Sequence, residues 1–382
     1  MKNYFLLFVI ILTVLVACNP NDDDTLPPNP PNPTNLPSWS SVGEIYGIGG
    51  SVIRCSEVYN GELYVGGSFD AIDGVVAKNI AKWNGTNWTA VNGCSSIEVN
   101  SYQPAGMEVY NGELYVTFRN AIAHYPQKWN GYSWSNVDSS FYTNTIFGGG
   151  VQYPYKNNMI VFNGLLINRN KSFNGTVATD LVQVPQNDTF CDLSHSHCIL
   201  NNKLYCSGRF YDPNNVSSLY YGISKWDNNE WYNIAGQTIG NNTFLYDMVT
   251  FNNEMYVSGV FTSLGGQVIN NLAKYDGSAW YPISGVTSSL ECNLYVDNSQ
   301  LYLSPAWNLS SSFNFDTSNN PDSAFRNVVR YNGSNWEYVT DSSRTKTVFG
   351  PVIMYNSYLY AFEYLEDAPF DHQYRIVRVQ PQ

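Results

Sequence analysis

The sequence predicts an all-β fold, a seven-bladed β-propeller of four-stranded antiparallel blades. Three observations lead to this prediction. A hairpin motif with Asn-Gly at its centre recurs along the chain. A second hairpin motif, flanked by aromatic residues, follows most copies of the first. The last copy lacks a final strand, and the N-terminal region contains a stretch that matches it. The chain also holds 30 Tyr, 19 Phe and 10 Trp, and this enrichment favours strands over helices.

The first 17 residues are predicted to be a signal peptide. Lys2 is followed by an apolar run that is too short to span a bilayer as a helix. The run ends in Leu-Val-Ala-Cys18, which resembles the bacterial lipobox. The resemblance implies a lipoprotein in which acylated Cys18, carrying chains such as palmitate, is the first mature residue. Each buried methylene contributes about 0.8 kcal/mol, so several chains give stable anchoring in a lipid bilayer. An ordinary cleaved signal peptide is the alternative.

Residues 18–37 are polar and proline-rich, which predicts a disordered tether ahead of a propeller over residues 38–382. The acidic run 22–24 resembles the export signal of surface lipoproteins in Bacteroidetes-type bacteria. That resemblance implies an outer-membrane or cell-surface location, anchored by lipid. The alternative is that the acidic run only keeps the tether soluble.

The first hairpin motif opens the repeat at 58–69, where Asn60-Gly61 separates two alternating apolar runs. Asn-Gly readily takes the positive φ angles of a tight primed turn, so it closes an antiparallel hairpin. Copies recur about 40 to 58 residues apart, the range of propeller blades. The further copies are 109–118, 161–168, 199–210, 250–261, 296–304 and 354–362.

The second hairpin motif follows the first, with Asn84-Gly85 between Trp83 and Trp88. Further copies begin at Lys128, Ser172, Lys225, Lys274 and Arg330. Two successive hairpins form a four-stranded meander that cannot bury both of its faces alone. Such sheets must therefore stack on copies of themselves.

The last blade is predicted to be shared between the two ends of the chain. The seventh copy ends with the strand 374–379, while residues 38–42 match residues 87–91, the fourth strand of the first blade. An N-terminal strand that completes the last blade closes the ring and covers sheet edges that would otherwise be open.

The glycine and aromatic positions resemble those of kelch-type propellers, including the central domain of galactose oxidase. The resembling residues are Gly66, Gly67, Trp83 and Trp88 in the first blade and Gly259, Tyr275 and Trp280 in the fifth. The short second hairpin departs from the kelch pattern. The resemblance therefore implies the fold and not an activity.

The predicted binding face is the face from which the long loops emerge. Turns inside the hairpins are short, whereas segments between second and third strands are long and variable. Insertions concentrated on one face usually mark the binding face of a repeat protein. The long segments are 70–78, 211–221, 262–270, 305–327 and 363–373.

Five residues on that face are the candidate ligand-binding set. Arg119, Arg169 and Arg209 follow the second strands of blades two, three and four, so their guanidinium groups are predicted to meet one anion. The alternative is that each pairs with a carboxylate of its own blade. Tyr211 and Trp307 are predicted to stack on sugar rings, with loop packing as the alternative.

The cysteines and histidines suggest disulfides and a metal site, but on weaker evidence than the repeats give for the fold. Six cysteines besides Cys18 permit three disulfides, with Cys55–Cys94 and Cys191–Cys198 as candidate pairs. His195 and His197 alternate on an inner strand and are spaced to share a metal, but they align with an ordinary strand of other blades. No cofactor or metal is therefore predicted.

Three functions compete. The first is a non-catalytic surface protein that binds glycan or protein on the long-loop face. The second is a glycan-active enzyme, a hydrolase or lyase on acidic sugar, centred on the arginines. The third is a structural subunit of an envelope complex. The sequence contains no nucleophile elbow, zinc-protease helix or phosphate loop, so an enzyme is the minority hypothesis. The net charge of −12 argues against nucleic acid as a partner.

Overall fold

A computed structural model describes residues 36–47, 51–98, 102–119, 126–141, 159–168, 171–181, 193–212, 215–235, 244–283, 292–297, 300–305, 328–333, 336–340, 348–365 and 374–381. Seven four-stranded antiparallel blades form a ring, which confirms the predicted β-propeller. The signal peptide, Cys18 and most of the predicted tether lie outside the described residues.

In each blade the first strand is at the inner edge, where the first strands of neighbouring blades meet. The chain begins with β1 (Ser40–Tyr46). Blade one then holds β2 (Val52–Tyr59), β3 (Glu62–Ser68), a small hairpin of β4 (Ala71–Ile72) and β5 (Val75–Val76), β6 (Ile80–Trp83) and β7 (Trp88–Ala90). Blade two holds β8 (Gln103–Tyr110), β9 (Glu113–Arg119), β10 (Gln127–Trp129) and β11 (Trp134–Asn136). Blade three holds β12 (Met159–Phe162), β13 (Leu165–Asn168), β14 (Lys171–Phe173) and β15 (Ala178–Asp180).

The remaining blades repeat this order. Blade four holds β16 (Leu193–Leu200), β17 (Lys203–Asp212), β18 (Asn215–Asp227) and β19 (Glu230–Asn233). Blade five holds β20 (Phe244–Phe251), β21 (Glu254–Val260), a hairpin of β22 (Ser263–Leu264) and β23 (Gln267–Val268), β24 (Leu272–Tyr275) and β25 (Trp280–Pro282). Blade six holds β26 (Cys292–Asp297), β27 (Gln300–Pro305), β28 (Val329–Tyr331) and β29 (Trp336–Tyr338). Blade seven holds β30 (Val348–Tyr355), β31 (Tyr358–Tyr364), β32 (Tyr374–Val379) and β1.

Helical structure is minor. Among the described residues, two short helical pieces stand between blades, the α-helical turn Ser95–Glu98 and the 3₁₀ turn Ser139–Phe141. Within the described ranges, no helix has the length and apolar character needed to cross a bilayer.

The N-terminal strand closes the ring, as predicted. β1 pairs antiparallel with β32, with Ser40 opposite Arg378 and Ile45 opposite Tyr374. Trp39, only 5% exposed, packs with Val377 in a core that blades six and seven share. The shared blade therefore joins the two ends of the propeller by backbone pairing and by apolar burial.

The described turns between first and second strands, and those between third and fourth strands, lie on one face of the ring, which we call the turn face. There Asn60 and Gly61 have φ angles of 50° and 75°, as a primed turn requires. The opposite face carries the connections between blades and the segments between second and third strands, and we call it the long-loop face.

Aromatic contacts at regular positions stack the blades. Trp83 and Trp88 pair within blade one at 5.1 Å between ring centroids. Trp83 Nε1 also donates to Tyr360 Oη of blade seven at 3.1 Å. Trp129 of blade two donates in the same way to Tyr64 of blade one at 3.3 Å. The aromatic pair of the second motif thus joins each of these blades to the preceding one.

Two of the predicted long loops are hairpins that pack at the outer rim. In residues 70–78, β4 pairs with β1 and extends the sheet of blade seven to six strands. In residues 262–270, the backbone N–H of Gly265 donates to Ala235 O at the end of blade four at 2.7 Å. Residues 211–221 largely continue β17 and β18 as one long hairpin. These long segments therefore contain regular antiparallel pairing.

Candidate functional site

A polar cluster lies on the long-loop face, near the inner edges of blades one and two. Arg54 Nη2 donates to Gln103 Oε1 at 3.2 Å, and Gln103 Nε2 donates to Ser68 Oγ at 3.1 Å. Arg54 comes from β2, Ser68 ends β3 and Gln103 begins β8. The three side chains therefore connect two blades at the mouth of the central channel, and we call them the mouth cluster.

A β-bulge positions the arginine of this cluster. The register of β2 shifts between Ile53 and Cys55, so Arg54 is the extra residue of the inner strand. Bulges re-aim a side chain and are common beside functional sites. Ile53 and Cys55 are both buried, whereas Arg54 is partly exposed. Sequence reasoning missed Arg54 because a bulge leaves no clear mark in the alternation of residues.

The strand that carries Gln103 is held in place from blade one. Asn79 is buried with a φ of 63°. Its Oδ1 accepts the backbone N–H of Phe69 at 3.0 Å, and its Nδ2 donates to Tyr102 O at 3.3 Å. One side chain thus fixes both the segment that follows β3 and the residue before Gln103.

The structure places three of the five predicted ligand-binding residues in strands. Arg119 is the last residue of β9, and its backbone lies opposite Gln103 of the mouth cluster. Arg209 and Tyr211 lie in β17, opposite Tyr221 and Leu219 of β18. Arg169 and Trp307 lie outside the described residues.

The strand register aligns two of the three arginines. Counted from the hairpin turn, Arg119 of blade two and Arg209 of blade four occupy the same position. Because Arg169 lies outside the described residues, the shared anion site of the three arginines stays a prediction.

A carboxyl group lies deeper in the channel. Burial raises the pKa of Tyr295, on the inner strand of blade six, to about 12, and the carboxylates of Asp297 and of Glu57, on inner strand β2, add smaller upward contributions. Loss of hydration raises the pKa of Glu57 itself to about 7. Glu57 Oε1 accepts the backbone N–H of Val58 at 3.0 Å. A group of this pKa changes its charge near neutral pH.

The cysteines of the described blades are buried thiols. Cys55 and Cys94 share one core between blades one and two, but Cys55 Sγ donates to Gly66 O and Cys94 Sγ to Gln127 Oε1. The predicted Cys55–Cys94 disulfide is therefore wrong. Cys198 is also a thiol, with its pKa raised to about 12 by burial. Its predicted partner Cys191 lies outside the described residues.

The histidine pair does not keep the regular alternation of a strand. The register of β16 shifts between Ser194 and Ser196, which makes His195 the extra residue of a bulge. His197 is buried. Where the structure describes side chains, no group of three or more His, Cys, Asp or Glu is arranged to hold a metal ion.

The chemistry of the mouth cluster suits binding. A guanidinium, an amide and a hydroxyl supply several donors and few acceptors, which matches carboxylate, sulfate or sugar hydroxyl groups. None of the three is a general base at neutral pH. These three groups therefore support recognition of an anionic or hydroxyl-rich ligand.

The fold defines the class of this protein, a seven-bladed β-propeller. No protein-family model matches the sequence, and no characterised protein matches it either. The kelch-type resemblance thus remains a prediction.

Solved structures resemble the chain in shape. They include a GH74 xyloglucanase from Xanthomonas campestris, with a TM-score of 0.48 at 14% identity, covering 89% of this chain and 55% of that one. The β-propeller domain of the Trilobed protease from Pyrococcus furiosus has a TM-score of 0.45 at 8% identity, covering 82% and 91%. The endosialidase of phage phi92 has a TM-score of 0.43 at 10% identity, covering 91% and 69%. Because these TM-scores are below 0.5, the similarities carry no argument, and the protein is classed as a propeller from its seven blades.

Proposed function

We propose that this protein is a surface-anchored, non-catalytic lipoprotein that binds a glycan carrying carboxylate or sulfate groups on its long-loop face. The observation that carries the proposal is the mouth cluster, in which Arg54, Gln103 and Ser68 connect two blades beside the end of the Arg119 strand. A guanidinium recognises planar anions through paired hydrogen bonds, and hydrogen bonds to a charged group contribute about 1.5 to 3 kcal/mol.

The binding test uses the propeller without residues 1–35, titrated with acidic and neutral oligosaccharides of equal length. We expect binding of an acidic oligosaccharide that weakens as salt rises. Arg54→Gln should weaken it about tenfold or more, the loss expected from one charge-assisted contact. Arg330→Gln is the matched control, because Arg330 pairs with Glu337 in the outer strands of blade six. Equal affinity of the Arg54 variant and the parent protein would contradict the assigned site.

The same titration separates binding from catalysis. If the oligosaccharide is shortened, or an unsaturated product forms, and Arg209→Ala abolishes that turnover, the protein is a glycan-active enzyme. Binding without turnover supports the non-catalytic function.

The lipid anchor is supported by the Leu-Val-Ala-Cys18 motif and the proline-rich stretch behind it. Metabolic labelling with a palmitate analogue should mark the parent protein. Cys18→Ala should abolish labelling and release the protein from the membrane fraction. Labelling that persists in the Cys18→Ala variant would contradict the anchor.

A further inference from the structure

Blades four and five share two departures from the second hairpin motif. The turn between third and fourth strands opens with Asn in blades one, two, three and six, but with Asp227 in blade four and with Asp276 in blade five. At one paired position of the fourth strand, these two blades have Tyr232 and Tyr281. The other four blades have Thr89, Ser135, Thr179 and Glu337 there. A carboxylate and an aromatic ring therefore occur together in two neighbouring blades.

Both tyrosines are exposed at the outer rim of the propeller, because the fourth strand is the outermost strand of each blade. Tyr232 and Tyr281 are 43% and 41% exposed. The lysine opposite each tyrosine lies over its ring. Nζ of Lys225 is 5.8 Å from the ring centroid of Tyr232, and Nζ of Lys274 is 6.0 Å from that of Tyr281. Each tyrosine is thus supported by its own blade and still has a large area open to solvent.

Hydrogen bonds hold the ring of Tyr281 in place. Tyr281 Oη donates to Asp276 Oδ2 at 3.1 Å. Asp276 Oδ1 accepts the backbone N–H groups of Ser278, at 2.7 Å, and of Ala279, at 2.8 Å. The carboxylate therefore joins the ring to the turn. A side chain that is already held loses less conformational freedom on binding, which favours Tyr281 as a contact for a ligand.

The tyrosine of blade four has a different carboxylate environment. Asp227 pairs with Lys203 and, at 3.4 Å, with Lys225, the lysine that lies over the ring of Tyr232. Two cations therefore engage the Asp227 carboxylate. Its oxygens are less available to a ligand than those of Asp276, so blade five carries the stronger candidate site.

The charged groups around Tyr281 favour a neutral ligand. Hydrogen bonds from the N–H of Ala279 and from other donors of the turn hold the pKa of Asp276 well below its usual range, so its carboxyl is ionised at neutral pH. Lys274 also forms an ion pair with Glu254 at 2.9 Å. Two carboxylates thus lie around one ammonium, which disfavours an anionic ligand. A cationic ligand is disfavoured as well, because Lys274 already lies over the ring.

A sugar ring matches these groups. A pyranose has an apolar face of C–H groups, which packs on an aromatic ring, and hydroxyl groups at its edge, which donate to carboxylates and accept from ammonium groups. We propose that Tyr281 is a stacking platform for a neutral sugar ring and Tyr232 a second, weaker one, so that the outer rim of blades four and five is a glycan-binding surface. This surface is independent of the mouth cluster, which connects blades one and two and suits acidic groups.

The test is affinity electrophoresis of the detergent-solubilised full-length protein in native gels. Separate gels contain dextran, mixed-linkage β-glucan, arabinoxylan or galactomannan as neutral probes, and polygalacturonate as the acidic probe. A gel without polysaccharide gives the reference mobility. We expect at least one neutral polysaccharide to retard the parent protein. Tyr281→Ala should weaken that binding about threefold to tenfold, the range for one lost aromatic stacking contact, and Tyr232→Ala should weaken it less. Tyr281→Phe keeps the ring without its bond to Asp276, so its affinity should lie between those of the parent protein and Tyr281→Ala.

Tyr132→Ala is the matched control, because Tyr132 is a 92% exposed tyrosine in a turn of blade two and should not affect retardation. The proposal is overturned if no neutral probe retards the parent protein, if Tyr132→Ala weakens binding as much as Tyr281→Ala, or if retardation survives in a variant that combines Tyr232→Ala and Tyr281→Ala. Arg54→Gln separates this surface from the mouth cluster. It should weaken binding to polygalacturonate and leave binding to the neutral probe unchanged, so either site can fail without the other.

Discussion

At the scale of single residues, Asp247 connects three blades through one buried carboxylate. Its Oδ1 accepts Ser196 Oγ of blade four and the N–H of Met248, both at 2.9 Å. Its Oδ2 accepts the N–H of Leu294, of blade six, at 2.8 Å. The residue is only 1% exposed, so water cannot replace it as an acceptor without rearrangement.

Asp247→Ala should therefore lower the free energy of unfolding by about 3 kcal/mol, because buried donors are left without an acceptor. Denaturant unfolding followed by tryptophan fluorescence measures the change. Asp180→Ala is the control, since this aspartate pairs with Lys171 at a site where its side chain is 57% exposed. Exposed pairs contribute about 1 kcal/mol or less. A similar loss in both variants would contradict the role of Asp247 as a connector.

Glu57 should make stability depend on pH in the direction opposite to that of a salt-bridged acid. Its pKa in the folded protein is about 7, against about 4.3 in an unfolded chain. Between these values the folded state binds more protons, so the free energy of unfolding falls as pH rises and levels off above about 7. Below about pH 4 the Glu57 carboxyl is protonated in both the folded and the unfolded state, so it no longer makes stability depend on pH.

Glu57→Gln removes this titration. The measurement is the stability difference between the variant and the parent protein at several pH values, which cancels all other titrating groups. As the pH rises from 5 to 8, we expect the free energy of unfolding of the variant to increase by about 1 kcal/mol or more relative to that of the parent protein. A difference that does not change with pH would show that Glu57 keeps an ordinary pKa.

At the scale of elements, the hairpin of β22 and β23 depends on contact with the outer strand. A Cβ added at Gly265 would lie 2.2 Å from Cδ1 of Trp280, whereas one at Gly266 would meet nothing within 4 Å. Both glycines have positive φ angles, 59° and 76°. The two positions therefore share backbone strain and differ in packing.

Gly265→Ala and Gly266→Ala form a matched pair for this contact. Both variants lose about 1 to 2 kcal/mol of stability, because alanine must adopt a left-handed backbone conformation at either position. Only Gly265→Ala must also displace the hairpin from Trp280, which should cost a further 1 to 3 kcal/mol, roughly the cost of overpacking. Thermal unfolding of the two variants measures the difference. Equal melting temperatures would mean that the hairpin is not packed on the rim.

The hairpin turns are the elements that the sequence predicts best. Asn-Gly and Asn-Asn pairs take positive φ, as at Asn111, Asn201 and Asn252, because few other residues adopt this backbone conformation without strain. The turns then define the strands on either side, and seven such units define a ring.

The rim hairpins and the mouth cluster could not be predicted in the same way. Strands of two residues, such as β4 and β22, are too short to show alternation, so they resemble loops in sequence. Arg54 belongs to a bulge, which inserts a residue without changing the composition of the strand. The thiols of Cys55 and Cys94 share a core, and whether they bond depends on distances that sequence spacing does not contain.

At the scale of the whole molecule, the ring is closed by tyrosines as well as by β1. Tyr355 Oη, at the end of the last inner strand, donates to Gly61 O in the first turn of blade one at 2.9 Å. Tyr59 Oη donates to Gly112 O of blade two at 3.0 Å. The contact between the last and the first blade therefore repeats the contact between ordinary neighbours, and the propeller has no distinct seam at the turn face.

The outer part of blade seven, by contrast, depends on β1 alone, which leads to a prediction for the whole ring. A protein that begins at Ser51 lacks β1 and Trp39, so the backbone of β32 becomes an open edge. Open edges pair with other chains. We expect this truncated protein to unfold at a lower temperature than a protein that begins at Leu36, and to associate with itself in sedimentation.

A synthetic peptide of residues 36–47 should pair with β32, and so raise the unfolding temperature of the truncated protein and suppress its self-association. The same peptide with Trp39→Ala is the control, because Trp39 is buried between blades six and seven. Removing a buried Trp costs about 3 to 5 kcal/mol, so the control peptide should bind roughly 100-fold more weakly or worse. If the truncated protein keeps the melting temperature of the longer one, or if both peptides bind equally, β1 does not hold the ring closed.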